Sequence, residues 1–193
     1  FANTPDAAFT AAIRARIDAE EWARFFAVHA AIATHTGGVA SDNGNDFYLY
    51  RRPSDNRFVL IPWDVDDSWQ VADSQERLFR PSLPAIQRFL MHPDFTLLYY
   101  AALRDLLEVH FSAEAATARI DRIAPYVPSA RAADLRAYAG ARRAFMAAQV
   151  PTTFQAAMAS QGFVRHDDLW RYWKGTEEPS EGTLLWTTLD FDD

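Results

Sequence analysis

From Ser41 to Gln70 the chain reads SDNGNDFYLYRRPSDNRFVLIPWDVDDSWQ, which places six aspartates around two aromatic, β-branched runs. Asp42 and Asp46 come just before the first run, and Asp64, Asp66 and Asp67 come just after the second. Carboxylates brought close together repel one another and hold protons more tightly, so they persist as a group only around a cation or a reacting proton. Carboxylate oxygens suit a hard ion such as Mg²⁺ or Ca²⁺. No other part of the sequence points as directly to chemistry.

The elements that must position these groups follow from residue spacing. Phe47–Arg51 and Arg57–Ile61 alternate like strands, and Pro53, Ser54, Asp55 and Asn56 between them supply a turn, so the segment predicts a β-hairpin. Antiparallel pairing would bring its two acidic ends together, with the five carboxylates of Asp42, Asp46, Asp64, Asp66 and Asp67 converging. DNGND alone reads equally well as a solvated loop, because Asp and Asn are ordinary turn residues. Pro62-Trp63-Asp64-Val65-Asp66 favours a cleft, since its carboxylates follow a bulky apolar run. Around the hairpin the chain reads as helix. Asp18 to Glu21 forms a capping-box pattern before an apolar stripe of Trp22, Phe25, Phe26 and His29. A second stripe, Phe95 through Leu107, follows His92-Pro93-Asp94, where Pro and Asp are expected to mark the boundary and cap. Ser112 and Glu114 open a third helix, and Pro128-Ser129 opens a long last one over 130–150. The fold class is α+β, mainly helical around one hairpin.

Other signals carry less. The five histidines form no HExxH or Cys-His set, and neither acidic cluster has EF-hand order, so zinc and EF-hand calcium are set aside. Arg51, Arg52 and Arg57 read as screened surface pairs rather than phosphate ligands. Trp63 and Trp69 are expected to pack beneath the hairpin, and Arg142 and Arg143 to cover a helix face or pair with acidic groups. A net charge of -7 and a pI near 5.2 argue against sequence-independent nucleic-acid binding, and no run reaches membrane-spanning length. The absence of cysteine leaves the redox compartment open.

The run Asn45-Asp46-Phe47-Tyr48-Leu49-Tyr50-Arg51, a short turn, and Arg57 through Asp66 together resemble the signature of the CotH family, the spore-coat protein kinases and their secreted relatives. Ala23 to Thr34 resembles the helix ahead of that family's catalytic loop. Leu83 to Val150, with Arg142-Arg143-Ala144-Phe145, resembles its helical C-terminal part. The resemblance implies the C-terminal portion of an atypical protein-kinase fold and phosphoryl transfer from ATP to Ser of a protein, with Mg²⁺ or Mn²⁺. By the same resemblance Asp42 is the catalytic aspartate, and Asp64 holds metal against the phosphates. Asn45 or Asp46 completes a second metal position, Asp66 adds a carboxylate, and Asp67 points to solvent. Two departures stand out: the residue five after Asp42 is Phe47 rather than Asn, and Gln70 follows Trp69 where the family often has Gly. Residues 1–160 are expected to form the kinase-like part without its N-terminal lobe, since neither a Gly-rich phosphate loop nor a strand with a nucleotide-binding Lys precedes the acidic segment. On that reading the chain by itself binds ATP poorly. Residues 161–193 are expected to be a linker and the truncated first strands of a β-sandwich, which points to secretion or the cell surface. A Ser-rich protein is the substrate class the resemblance implies. Two further readings stay open: a non-catalytic adhesion module, and a structural metal site in which the carboxylates tie the hairpin to the helices.

Overall fold

The computed structural model describes residues 1–36, 38–41 and 46–151. Asp42, Asn45 and the expected β segment at 161–193 lie outside the described residues. The described elements are α1 (Asp6–Arg14), α2 (Ala19–Ile32), β1 (Phe47–Arg51), β2 (Phe58–Pro62), α3 (Pro84–Met91), α4 (Pro93–Asp105), α5 (Ala113–Ile123) and α6 (Ser129–Gln149). A π-helical turn, Leu106–His110, prolongs α4. Mainly helical architecture around one two-stranded antiparallel sheet is as expected.

α2 runs through the centre. Asp18 caps it by accepting the Glu21 N–H at 3.2 Å. The reciprocal half of the capping box is absent, because the Glu21 carboxylate accepts the Leu60 N–H of β2 instead, at 3.2 Å. Trp22, Phe25, Phe26 and Ala30 bury the helix against α3 and α4, with Trp22 and Phe89 centroids 6.3 Å apart and Phe89 and Phe95 5.0 Å apart. Each such aromatic contributes on the order of 2 kcal/mol through the apolar area it removes from water. A second cluster, formed by Phe111, Ile120, Leu135 and Tyr138, joins α5 to α6.

Several local expectations shift for identifiable reasons. His92, not Asp94, caps α4: Pro93 forces the preceding residue to be extended, so His92 takes the cap position and its Nδ1 accepts the Asp94 N–H at 3.3 Å. The Asp94 carboxylate accepts the Thr10 hydroxyl at 2.5 Å instead. β2 starts one residue later than the alternation suggests, because the Asp55 carboxylate takes both the Arg57 N–H (3.1 Å) and Nε (2.8 Å) into the turn. Arg52 and Arg57 do form the expected surface pairs, both with Asp55.

Arg142 differs most from the sequence reading. It neither covers a surface nor pairs with a carboxylate; it is fully buried. Its guanidinium donates to the Ala30 carbonyl (Nε 3.2 Å, Nη2 2.5 Å), the Ser74 carbonyl (3.1 Å) and the Glu76 carbonyl. The last turn of any helix leaves its carbonyls without intrahelical donors, and here the buried cation supplies one. Arg142→Met should therefore lower stability by about 3 kcal/mol, since several buried carbonyls lose their donors. Arg142→Lys should recover only a minor part, because an ammonium cannot span both chain segments. Urea midpoints of the two variants against wild type check this.

His29 lies in the same core, with its ring 4.2 Å from Phe25 and Nδ1 without a partner among the described residues. Burial, aided by the nearby Arg80 cation, holds its pKa down at about 4. The folded state thus prefers neutral imidazole, and the stability this gives is complete above the ordinary pKa of 6.5 and lost as pH falls toward 4. Between those pH values wild type should lose about 3 kcal/mol more stability than His29→Leu, measurable by denaturant titration across pH.

Candidate functional site

The hairpin closes one pair beyond its strands: the Trp63 N–H donates to the Asp46 carbonyl at 3.1 Å, so both acidic ends share one end of the ribbon. Asp46 (φ 62°) and Asp64 (φ 45°) both adopt left-handed backbone, which Asp tolerates better than most residues because its short side chain bonds locally. Two such residues flanking one Trp mark a site held in shape by its surroundings.

Those surroundings are the C-terminal end of α2 and the start of α6. After Ala33, itself left-handed at φ 48°, the chain turns across the acidic loop. There the Thr36 hydroxyl donates to the Asp64 carbonyl (3.2 Å) and the His35 N–H to the Asp67 carbonyl (2.9 Å). The Trp69 N–H donates to the Ile32 carbonyl at 3.0 Å, and Arg131 reaches the Ser68 and Trp69 carbonyls, each at 3.4 Å. Inside the loop, the buried Ser68 hydroxyl donates to the Val65 carbonyl at 2.7 Å. His35 is further tied by Nε2 to the Asp73 carboxylate at 2.8 Å. Sequence reasoning missed His35, Thr36 and Arg131. The only sequence signal for the first two was their turn-rich run, Thr34 to Gly38.

Trp69 has φ 61°, an unusual conformation for a bulky residue. Its ring packs 5.2 Å from Phe111 and 5.3 Å from Tyr138, against the cluster that joins α5 to α6 rather than beneath the hairpin. The residue after it needs no glycine, because Gln70 is extended at φ -82°, ψ 132°. The Gln70 departure is therefore conformationally neutral. Trp63 does not pack beneath the hairpin: it is 59% exposed and meets Tyr48 edge to face at 5.7 Å on the outer face.

The described carboxylates assemble as a pair rather than as a converging set. Asp64 is solvent-exposed, and its carboxyl is pushed above the ordinary range, first by the charge of Asp66, then by partial desolvation, the charge of Asp46 and a hydrogen bond shared with Asp66. Asp64 shares a hydrogen bond with Asp66, whereas Asp67 is half-buried rather than solvent-facing, its carbonyl taken by the His35 N–H. Among the described residues, no three acidic or histidine side chains gather closely enough to form an ion site. Two mutually repelling carboxylates within hydrogen-bonding reach nevertheless fit a hard divalent ion that keeps much of its own water. A cavity of about 370 Å³ opens beyond Trp69, between α5 and α6, but Phe111, Ile120, Ile123 and Leu135 line it and no carboxylate of the described residues does.

A raised folded-state pKa means that Asp64 favours folding below the ordinary carboxylate pKa of 3.8, and that this contribution is lost as pH rises through the folded value. Asp66→Asn removes the main repulsion. It should lower the Asp64 titration midpoint, followed by carboxyl ¹³C NMR, and raise the thermal midpoint of the metal-free protein at pH 7. The thermal gain should fade below pH 3.8.

The hairpin with its acidic end, the helix feeding the acidic loop and the start of the long helix that pins the loop lie within one matched region. Comparison with curated proteins found no match. The family described as CotH kinase protein matches residues 1–140, and the chain is therefore a member of the CotH family.

Proposed function

We propose that the acidic end of the hairpin serves metal-dependent phosphoryl transfer from ATP to Ser of a protein substrate, in the manner of an atypical protein kinase. The observation that carries this reading is the Asp64–Asp66 pair, in which Asp64 sits on left-handed backbone with its proton affinity raised. A transferring phosphoryl group needs charge neutralisation and positioning more than covalent help, so a pair of acids holding Mg²⁺ or Mn²⁺ supplies most of what the protein must contribute. The bound ion would neutralise charge on the phosphates. Asp64 and Asp66 would hold it, with Asn45 or Asp46 completing a second position, and Asp42 would orient the acceptor hydroxyl and take its proton. The roles of Asp42 and Asn45 rest on family resemblance, since both lie outside the described residues. A net charge of -7 suits a basic, Ser-rich protein substrate, and a secreted or cell-surface setting accords with the secreted relatives of the family.

A second reading is a non-catalytic binding module, and one observation favours it: Tyr48, Tyr50, Ile61 and Trp63 form an exposed apolar face on the hairpin, each between 44 and 59% exposed. Phosphorylation of a Ser-rich protein by the intact protein with ATP and Mg²⁺, followed by mass spectrometry, separates the two. Asp64→Asn and Asp42→Ala should each lower transfer at least about a hundredfold. Asp64→Asn should also abolish the thermal stabilisation that Mg²⁺ gives wild type. No transfer by wild type, with Mg²⁺ stabilisation intact, would leave the binding module.

A further inference from the structure

The two edges of the hairpin are not equivalent. Phe47 pairs with Pro62, Leu49 with Leu60 and Arg51 with Phe58, while the ladder bonds run between Asp46 and Trp63 at one end and between Arg52 and Arg57 at the other. Antiparallel alternation then directs the N–H and C=O groups of residues 47, 49 and 51 away from β2, and those of 58 and 60 away from β1. The β2 edge is occupied. Phe58 N–H donates to the Arg16 carbonyl at 2.7 Å, Phe58 C=O accepts from Asp18 N–H (3.3 Å) and Trp22 Nε1 (2.9 Å), and Leu60 N–H meets Glu21. The β1 edge has no such partner among the described residues, although Leu49 and Tyr50 beside it are 52% and 48% exposed. An unpaired, apolar edge of this kind is a template for another strand.

Charge polarises this edge. Its Asp46 end adjoins Asp64 and Asp66. The opposite end carries Arg51, Arg52 and Arg57 against only Asp55 and Asp18, and Arg51 is exposed and forms no ion pair among the described residues. From residue 46 to residue 51 a strand spans roughly 17 Å, the reach of about six residues of an added strand.

We propose that β1 binds its protein substrate by strand addition. An extended segment would pair with the outward amides of Phe47, Leu49 and Arg51, carrying its acceptor Ser and basic residues at the Asp46 end and acidic residues at the Arg51 end. Alternate side chains of that segment lie against Tyr48 and Tyr50. The identity of the occupant rests on the phosphoryl-transfer reading, because a strand on this edge ends where that reading needs the acceptor hydroxyl.

The test is fluorescence anisotropy with the full chain and Mg²⁺, without nucleotide. The probe is a labelled octapeptide with Ser-Lys-Lys at one end, alternating Val and Thr in the middle and two Glu at the other, together with its reversed sequence, since either strand direction satisfies the edge. At least one order should bind saturably. Leu49→Pro removes an outward amide while leaving the β1–β2 ladder intact, and should weaken binding about tenfold, whereas Leu49→Ala should not. Circular dichroism and thermal melts establish that Leu49→Pro is folded. N-methylating alternate peptide amides should abolish binding in one phase and spare it in the other. Binding unchanged by Leu49→Pro, indifference to the N-methylation phase, or no saturable binding of either peptide would overturn the proposal. So would sedimentation showing a dimer that Leu49→Pro dissociates, which would assign the edge to a second copy. Offering the same peptide and ATP to the intact protein keeps the two readings apart: a peptide bound in the edge-dependent way but never phosphorylated by the intact protein supports strand addition and counts against phosphoryl transfer.

Discussion

The C-terminal carbonyls of α2 are the constraint on which the rest of the described structure depends. A helix end buried in a core leaves acceptors that water cannot reach, and each orphan costs on the order of 1–3 kcal/mol. Here Ala30 accepts from Arg142, Ala31 from the Tyr138 hydroxyl at 2.9 Å, and Ile32 from the Trp69 N–H. Two of these donors come from α6 and one from the acidic loop, so satisfying one helix end fixes the placement of both. The positive guanidinium also sits at the negative end of the α2 dipole, which favours a buried arginine without a carboxylate partner. Burial nonetheless lowers the proton affinity of Arg142, so its stability rests on the carbonyls it serves.

The opposite end of α2 does corresponding work on the hairpin. Asp18 caps the helix and accepts from Arg52 at 2.8 Å, while Trp22 and Glu21 hold the outward groups of β2. A two-stranded hairpin alone is marginal in water, and this one is stabilised by a helix lying along one of its edges. One rigid element thus holds both the ribbon that ends in the acids and the loop that follows them. That arrangement can maintain left-handed backbone at Asp46, Asp64 and Trp69, a strain no isolated loop would keep.

Family membership over residues 1–140 accords with this division of labour: packing and carbonyl capping are committed to holding a small exposed acidic pair in place. The hairpin is asymmetric in the same sense. Its inner face and β2 edge are bound into the fold, and among the described residues its outer face and β1 edge are left apolar and open.

Local structure that short-range chemistry dictates was legible in the residues alone. Alternation and turn residues located the hairpin, and Asp18 and Ser112 declared their caps because an oxygen side chain before an apolar stripe has one good use. The motif around Asn45–Asp46 and Pro62–Asp66 was specific enough to place the chain in its family. Tertiary structure decided everything that depended on partners distant in the chain. Nothing in the spacing of Arg142 shows that it donates to a helix-end carbonyl 112 positions away in sequence. Nor does the run of aspartates reveal that Asp64 and Asp66 pair while Asp67 is half-buried, since the loop that carries them is held by His35, Thr36 and Arg131 from distant parts of the chain. Trp63 and Trp69 look alike in sequence, yet the first lies on an open face and the second packs, partly buried, against a core cluster. Residue type sets what a side chain can do; burial and long-range hydrogen bonding, which depend on the assembled fold, set which of those things it does.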